Sequence, residues 1–341
     1  MPEDFSADRA ASLPVIDIGP LVRDGAATNA VAEQVRVACH DYGFFYVVGH
    51  GIDEDLGVSL EALNREFFAL PLAEKMKISM RSGGRAWRGY FAMGDELTSG
   101  RPDRKEGLYF GAELPPDHPD VLAKHPFHGA NLFPAITGFR ETVLRYIATM
   151  TQLGHCLMRG VSLGLGLEAD YFARHYTQDP LVLFRVFNYP HDFGHDPGET
   201  WGVGEHTDYG ILTILRQDNV GGLQVRSQGR WIDAPPIPDS FVCNIGDMLE
   251  RMTGGRFRST PHRVLNCSSR SRLSFPFFFD PNFHAQVRPI NPSTTISNDA
   301  QQRWDGASVH AWQGTYGEYL LSKVAKVFPE LGRDTKLNVE R

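Results

Sequence analysis

Long apolar runs are missing from this chain: no stretch approaches the roughly 18–20 consecutive apolar residues that span a bilayer. The first residues, MPEDFSADRAASLP, are acidic and lack the apolar core of a secretory signal, which predicts a cytoplasmic location. Cysteine is scarce. The four present, Cys39, Cys156, Cys243 and Cys267, are widely separated, and none forms a C-x-x-C pair for zinc or redox chemistry, so they read as reduced, packed thiols. Blocks of Lys and Arg are also absent, and 34 basic against 41 acidic side chains give a formal charge of −7. Nucleic acids and anionic membranes require a concentrated positive field, so neither is expected as a partner and a small molecule is. With no repeat, low-complexity tract or evident linker, residues 1–341 are expected to pack as one compact unit. The 42% apolar and 22% charged composition suits a folded protein.

What is there divides into a helical half and a β-rich half. PVIDIG at 14–19 suits a strand, 28–41 a helix with Val31, Val35 and Ala38 on one face, GFFYVVGHGI at 43–52 a buried strand, and 54–69 a second helix. Apolar residues from Ile136 to Val161 recur three and four apart, predicting one long amphipathic scaffold helix over about 134–163. After residue 180 come short β-rich runs broken by Gly, Pro, Asn and Asp, such as LVLFRVFNYP, SFVCNIGD and RLSFPFFF, which predict a sandwich or barrel. A last helix fits 315–327. The class is therefore α+β.

Chemistry concentrates in the β-rich half. In GVGEHTDYG, His206 and Asp208 stand two apart, and in extended chain such residues point the same way, so imidazole and carboxylate can converge on one cation. His262, in the strand-like STPHRVLN, supplies a third ligand if an antiparallel fold brings it alongside. Two imidazoles and one carboxylate form the facial triad of non-haem Fe(II) oxygenases, leaving adjacent positions for a bidentate 2-oxo acid and for dioxygen. Both imidazoles must be neutral to bind, so iron affinity is expected to fall below about pH 6.5. Further on, Arg272 and Ser274 share a face and together can hold a carboxylate, a charge-assisted contact of about 1.5–3 kcal/mol. His40, His50, His155, His175, His191, His195, His284 and His310 lack partners at ligand spacing and read as packing or surface residues. Phe277, Phe278 and Phe279 read as core, whereas Trp87 and Tyr90, in a Gly-rich stretch, read as lid residues.

HTD, then TPHRV, then R-x-S resembles the Fe(II)/2-oxoglutarate dioxygenases of the isopenicillin N synthase-like group. LPVIDI, ACHDYGFFYVVGHGI and FFALPLAEKMKI resemble that group's N-terminal region, and NYP, VGGLQV and NIGD its barrel, so the likeness spans nearly the whole chain. It implies a double-stranded β-helix, or jelly-roll barrel, flanked by helices, with an N-terminal α/β region over 13–120 and a catalytic core over 180–285. It implies that His206, Asp208 and His262 hold Fe(II), that Arg272 and Ser274 bind the distal carboxylate of 2-oxoglutarate, and that Tyr189 touches the same co-substrate. Where many members have Asn, two positions before Tyr189, this chain has Phe187. The implied activity couples decarboxylation of 2-oxoglutarate to succinate, with O2, to C–H oxidation of a small molecule, hydroxylation foremost, the substrate being an amino acid or natural-product intermediate.

A narrower likeness, in RGYFAMGDELTSGRPDRKEG, HTDYG, MTGG and DPNF, is to the bacterial ethylene/succinate-forming enzymes, which bind L-arginine. It implies a substrate pocket lined by Glu96, Thr98, Arg185 and Tyr209, with Lys326 where those enzymes have Arg. Ser274 and the DRKEG–LYFG segment favour ordinary hydroxylase use of 2-oxoglutarate over ethylene formation. Two readings of other classes stand beside these: a zinc hydrolase using the same three ligands, which leaves Arg272 and Ser274 without a role, and a non-catalytic ligand-binding barrel.

Overall fold

The computed structural model describes residues 12–98, 100–191, 202–227, 229–265, 268–291, 299, 303 and 306–328. In chain order its strands are Val15–Asp17 (β1), Phe44–Val48 (β2), Gly89–Phe91 (β3), Leu97–Thr98 (β4), Arg101–Pro102 (β5), Glu106–Gly111 (β6) and Leu181–Tyr189 (β7). They continue with Val203–His206 (β8), Leu212–Gln217 (β9), Leu223–Ser227 (β10), Arg230–Asp233 (β11), Phe241–Ile245 (β12), His262–Val264 (β13) and Arg272–Asp280 (β14). An eight-stranded sheet runs β1-β2-β12-β9-β14-β7-β6-β3 and a four-stranded sheet runs β11-β10-β13-β8, while β4 and β5 form a separate hairpin. Among the described strand pairs, only β1–β2 is parallel. The N-terminal strands thus extend the same sheet that carries β14 and β7, the jelly-roll core expected from the sequence.

Alternation along the two longest strands decides what faces what. Successive strand residues point to opposite sides of a sheet. On β14, Arg272, Ser274, Pro276, Phe278 and Asp280 line a cavity between the two sheets, while Leu273, Phe275, Phe277 and Phe279 are buried on the other side. On β7, Leu183, Arg185, Phe187 and Tyr189 line that cavity, and Phe184 turns outward against Tyr146, with ring centroids 4.9 Å apart. Phe278 therefore belongs to the cavity wall, whereas Phe277 and Phe279 are core as expected.

The outward face is covered by the helix Phe139–Gly164, whose buried Phe139, Val143, Tyr146, Ile147, Met150, Leu153, Leu157 and Val161 keep the three-and-four spacing read from the sequence. It begins at 139 and not at 134. Gly138, with φ of 78°, takes a left-handed conformation at the N-cap, and Ile136 falls outside the helix. The other helices longer than two turns run over Thr28–Asp41, Glu54–Ala69 and Tyr316–Val327, matching the expected spans closely. Thr315 and Glu318 close the last one with a reciprocal capping box.

Trp87 and Tyr90 are not lid residues. Trp87 is buried edge-on against Phe127, centroids 4.7 Å apart, and Tyr90 is buried in β3 with its hydroxyl donating to Glu106 Oε2 at 2.5 Å. The nearby Gly84 and Gly89 serve shape, since both hold positive φ, and burying each aromatic ring contributes more than its exposure would.

Helix and sheet approach closely at Gly154, where a Cβ would lie 2.4 Å from the ring of Phe279. Gly154→Val should cost about 1–3 kcal/mol through overpacking, read as a lower urea midpoint. An unchanged midpoint would mean that the fully buried Phe279 can retreat.

Candidate active site

β8 and β13 pair antiparallel with His206 opposite His262, so the two imidazoles stand side by side, ring centroids 4.2 Å apart. Each Nδ1 faces a backbone carbonyl two residues back: Gly204 O at 2.8 Å for His206 and Thr260 O at 3.2 Å for His262. A carbonyl only accepts, so each Nδ1 carries the ring proton and each Nε2 keeps its lone pair for a cation. Burial first, then the neighbouring His262, pushes the His206 imidazole well below its ordinary range, which keeps the ring neutral. The proton competition expected near pH 6.5 is therefore displaced to lower pH at His206.

Asp208 converges on this pair by a route different from strand alternation. β8 ends at His206, the chain turns, and the carboxylate is fixed through one oxygen: Oδ2 accepts from Thr213 Oγ1 at 2.5 Å and from Asn244 Nδ2 at 2.7 Å. Oδ1 is left facing His206 Nε2 at 3.9 Å and His262 Nε2 at 3.8 Å. Burial opposes the charge, but the two imidazoles and the Asn244 and Thr213 donors outweigh it and hold the carboxyl below its usual range. Donor atoms of all three residues lie within 4.8 Å of one another. Two neutral imidazole nitrogens and one carboxylate oxygen fit a divalent first-row metal such as Fe(II). Of the two residues that aim the carboxylate, Asn244 was marked only by the NIGD motif and Thr213 by nothing in the sequence.

Beside the triad, the β14–β7 register sets Arg272 opposite Tyr189. The guanidinium carbon lies 4.9 Å from the Tyr189 ring centroid, and Ser274 Oγ donates to Tyr189 Oη at 3.5 Å. Arg272 is 0% exposed, yet its Nε and Nη1 have no hydrogen-bond partner among the described residues, and Nη2 has only a long contact, 3.4 Å, to Gln217. A buried cation left in this way is costly unless an anion from outside completes it. The donors fit the distal carboxylate of a 2-oxo dicarboxylic acid.

The opposite wall holds charges of both signs. Glu96 and Thr98 are buried, not solvated at a loop tip. Glu96 accepts from Tyr109 Oη at 2.8 Å, pairs with Lys105 at 2.9 Å and lies 3.7 Å from Arg185. Burial opposes its ionisation, but Lys105 and Arg185 overcome this and lower its pKa. Thr98 Oγ1 donates to Asp103 Oδ2 at 2.5 Å, and Asp103 also pairs with Lys105 at 2.7 Å. The Arg185 guanidinium sits 4.3 Å from the Tyr109 ring centroid and 4.8 Å from that of Phe278. Tyr209 and Phe187 also line the cavity. Lys326 does not: it is exposed. The buried cation of this wall is Lys105, whose only signal was its place in DRKEG. Asp280, in DPNF, was missed as well; burial raises its carboxyl to about 7, with Tyr316 Oη donating to it at 2.5 Å.

Three of the histidines read as isolated face carboxylates of distant segments. His284 Nε2 lies 2.9 Å from Asp120 Oδ1, His310 Nε2 lies 3.4 Å from Glu250 Oε1, and His50 Nε2 lies 3.4 Å from Asp239 Oδ1. His195 and Cys267 fall outside the described residues.

Comparison with known proteins agrees with this geometry. A family model described as the non-haem dioxygenase in morphine synthesis N-terminal region matches residues 13–136, and one described as the 2OG-Fe(II) oxygenase superfamily matches 180–281. A probable iron/ascorbate oxidoreductase of Dictyostelium discoideum is 51% identical, covering 94% of this chain and 95% of the relative. A homoarginine-6-hydroxylase of Oryza sativa subsp. japonica is 38% identical, covering 96% and 99%. Among solved structures, a full-length Neurospora crassa protein in complex with alpha-KG and thymine superposes with a TM-score of 0.77 at 28% identity, covering 93% and 98%. No helix among the described residues is long and apolar enough to cross a membrane. The chain belongs to the 2OG-Fe(II) oxygenase superfamily and is a 2-oxoglutarate-dependent Fe(II) dioxygenase, using 2-oxoglutarate and O2 to oxidise a small molecule.

Proposed function

We propose that His206, Asp208 and His262 hold the Fe(II), and that Arg272, Ser274 and Tyr189 hold the distal carboxylate of 2-oxoglutarate. The support is the convergence of three donor atoms with both His tautomers fixed for binding, next to a buried guanidinium with unmet donors. Bound there, Fe(II) supplies the redox chemistry that couples oxidative decarboxylation of 2-oxoglutarate to succinate with oxidation of a substrate C–H bond. The protein's part is binding and orientation. Arg272 fixes the far end of the co-substrate by charge, Ser274 and Tyr189 add neutral donors, and the apolar wall of Leu183, Val203, Leu223 and Val264 excludes water. A zinc hydrolase or a passive barrel has no use for the Arg272 group, and family membership speaks against both.

For the substrate we infer an amino acid with a cationic side chain, oxidised by hydroxylation. One observation carries this: Glu96, 4% exposed and held ionised, presents its carboxylate in the cavity wall between Lys105 and Arg185. Such a wall offers an anion to a guanidinium or ammonium group and, in Arg185, a planar donor to a carboxylate. The homoarginine-6-hydroxylase relative supports a guanidino amino acid. The pairing of Ser274 with Tyr189 beside Arg272 favours ordinary use of 2-oxoglutarate, so ethylene is not an expected product.

His206→Ala should lower succinate formation at least about a hundredfold and abolish the charge-transfer band that Fe(II) and 2-oxoglutarate give under argon; a surviving band would remove His206 from the ligand set. Arg272→Ala, losing a charge-assisted contact of about 1.5–3 kcal/mol, should raise the KM for 2-oxoglutarate about ten- to hundredfold. In a screen of L-arginine, L-homoarginine and neutral amino acids, succinate release should rise with a guanidino member, and Glu96→Gln should cancel that rise while sparing uncoupled 2-oxoglutarate turnover. Equal stimulation of wild type and Glu96→Gln would sink the cationic-substrate reading. Headspace ethylene in the same vials should stay at background.

A further inference from the structure

Away from the cavity, one carboxylate is ringed by imidazoles. Asp120 lies on the short helical turn Pro119–Leu122, within the segment HPDVLAKHPFH. Its Oδ1 is 2.8 Å from His125 Nδ1 and 2.9 Å from His284 Nε2, and its Oδ2 is 3.9 Å from His128 Nε2. His284 comes from the far side of the sequence, just past β14, so the cluster joins two segments 164 residues apart. A fourth ring, His118, uses its Nδ1 to accept from the Asp120 backbone N–H and is occupied there.

We propose that Asp120, His125, His128 and His284 form a second metal site, built for a borderline divalent cation of the zinc class and separate from the iron centre. Three imidazoles and one carboxylate are the donor set that zinc accepts in four-coordinate sites. Metal–ligand bonds of roughly 2.0–2.2 Å place tetrahedral ligand atoms about 3.3 Å apart. Donor atoms of Asp120, His125 and His284 already lie within 4.8 Å of one another, so small side-chain adjustments suffice for these three, and His128, with Nε2 3.9 Å from Asp120 Oδ2, completes the set by turning further inward.

The surroundings orient these donors. His128 Nδ1 faces Pro126 O at 2.8 Å, so it carries the proton and Nε2 presents its lone pair towards Asp120. The Phe283 ring packs beside two of the imidazoles, stacked on His125 with centroids 5.8 Å apart and edge-on to His128 at 5.2 Å. His284 has its backbone N–H held by Asn282 Oδ1 at 2.9 Å. Burial opposes ionisation of Asp120, but the hydrogen bonds from His284 and His125 and the nearby His128 hold it at about 2, so it is a carboxylate whenever the imidazoles are neutral. In the metal-free protein, His125 and His284 serve Asp120 as N–H donors. On metal binding those two nitrogens must present lone pairs instead, so their ring protons move to the other nitrogen, and any imidazole still protonated releases its proton. Bound metal would tie the 118–128 segment, which carries Phe127 and with it Trp87, to the end of β14.

The test is equilibrium dialysis of chelator-stripped, full-length protein against Zn(II), with bound metal read by elemental analysis. The wild type should take two equivalents, His206→Ala/Asp208→Ala one, and His125→Asn/His284→Asn one. In the His206→Ala/Asp208→Ala protein, Zn(II) should raise the thermal midpoint by about 2–4 °C or more, and adding His125→Asn/His284→Asn should abolish that rise. Iron-dependent succinate formation by His125→Asn/His284→Asn should match the wild type. One equivalent in the wild type, or two in His125→Asn/His284→Asn, would overturn the proposal. If that variant fails to fold by circular dichroism, Asp120→Asn takes its place with the same two outcomes.

Discussion

Asp208 has two carboxylate oxygens, and the fold gives them different neighbours. Thr213 from β9 and Asn244 from β12 both donate to Oδ2, while Oδ1 is left towards the two imidazoles of β8 and β13. A carboxylate without that division would swing, accept from either imidazole and scramble their tautomers. With it, the donor atoms point to one place before any cation arrives. Because Thr213 and Asn244 belong to the large sheet and the histidines to the small one, aiming a single carboxylate requires the two sheets to be in register with each other.

The same requirement explains the heavy cover over the outer face. Arg272, Ser274, Phe278 and Asp280 reach the cavity only while Leu273, Phe275, Phe277 and Phe279 are buried behind them. A slip of one residue along β14 would exchange the polar and aromatic sets. The helix Phe139–Gly164 opposes that exchange, because it packs Gly154 against the Phe279 ring, whose place Asp280 would take, and on β7 it packs Tyr146 against Phe184, the neighbour of Arg185. Scaffold and site are in this sense one constraint: the helix fixes which face of β14 and β7 is chemical.

Much of this was legible in the sequence because it is written in local patterns. HTD, TPHRV and R-x-S are short and distinctive, and the helices over Thr28–Asp41 and Glu54–Ala69 follow their apolar spacing. What was not legible depends on contacts between distant segments. DRKEG entered only as part of a family resemblance that assigns Lys105 no role, yet Lys105 is buried because the β4–β5 region folds it against Glu96 and Asp103. The glycines near Trp87 read as mobility, whereas their positive φ serves a packed turn. Gly138, at the N-cap, starts the long helix later than apolar spacing alone suggested. His284 read as solitary because its partner Asp120 is far away in the chain.

The three cations of the cavity differ in how fully the protein satisfies them, and that difference sorts their tasks. Lys105 has Glu96 at 2.9 Å and Asp103 at 2.7 Å, and although burial opposes its charge these partners raise its pKa, so it is saturated and serves to hold Glu96 in place. Arg272 has no carboxylate partner among the described residues and only one long hydrogen bond, to Gln217, so on the proposed reading its charge is available to an incoming dianion. Arg185 lies between these extremes, 3.7 Å from Glu96 and flanked by two aromatic rings. A weakly paired guanidinium stacked on rings can exchange a protein carboxylate for a ligand's without leaving a bare buried charge. On the proposed reading, substrate entry is then an exchange of partners: the ligand's cation takes Glu96 from Arg185 as its carboxylate takes Arg185 from Glu96, and the net charge of the wall is unchanged.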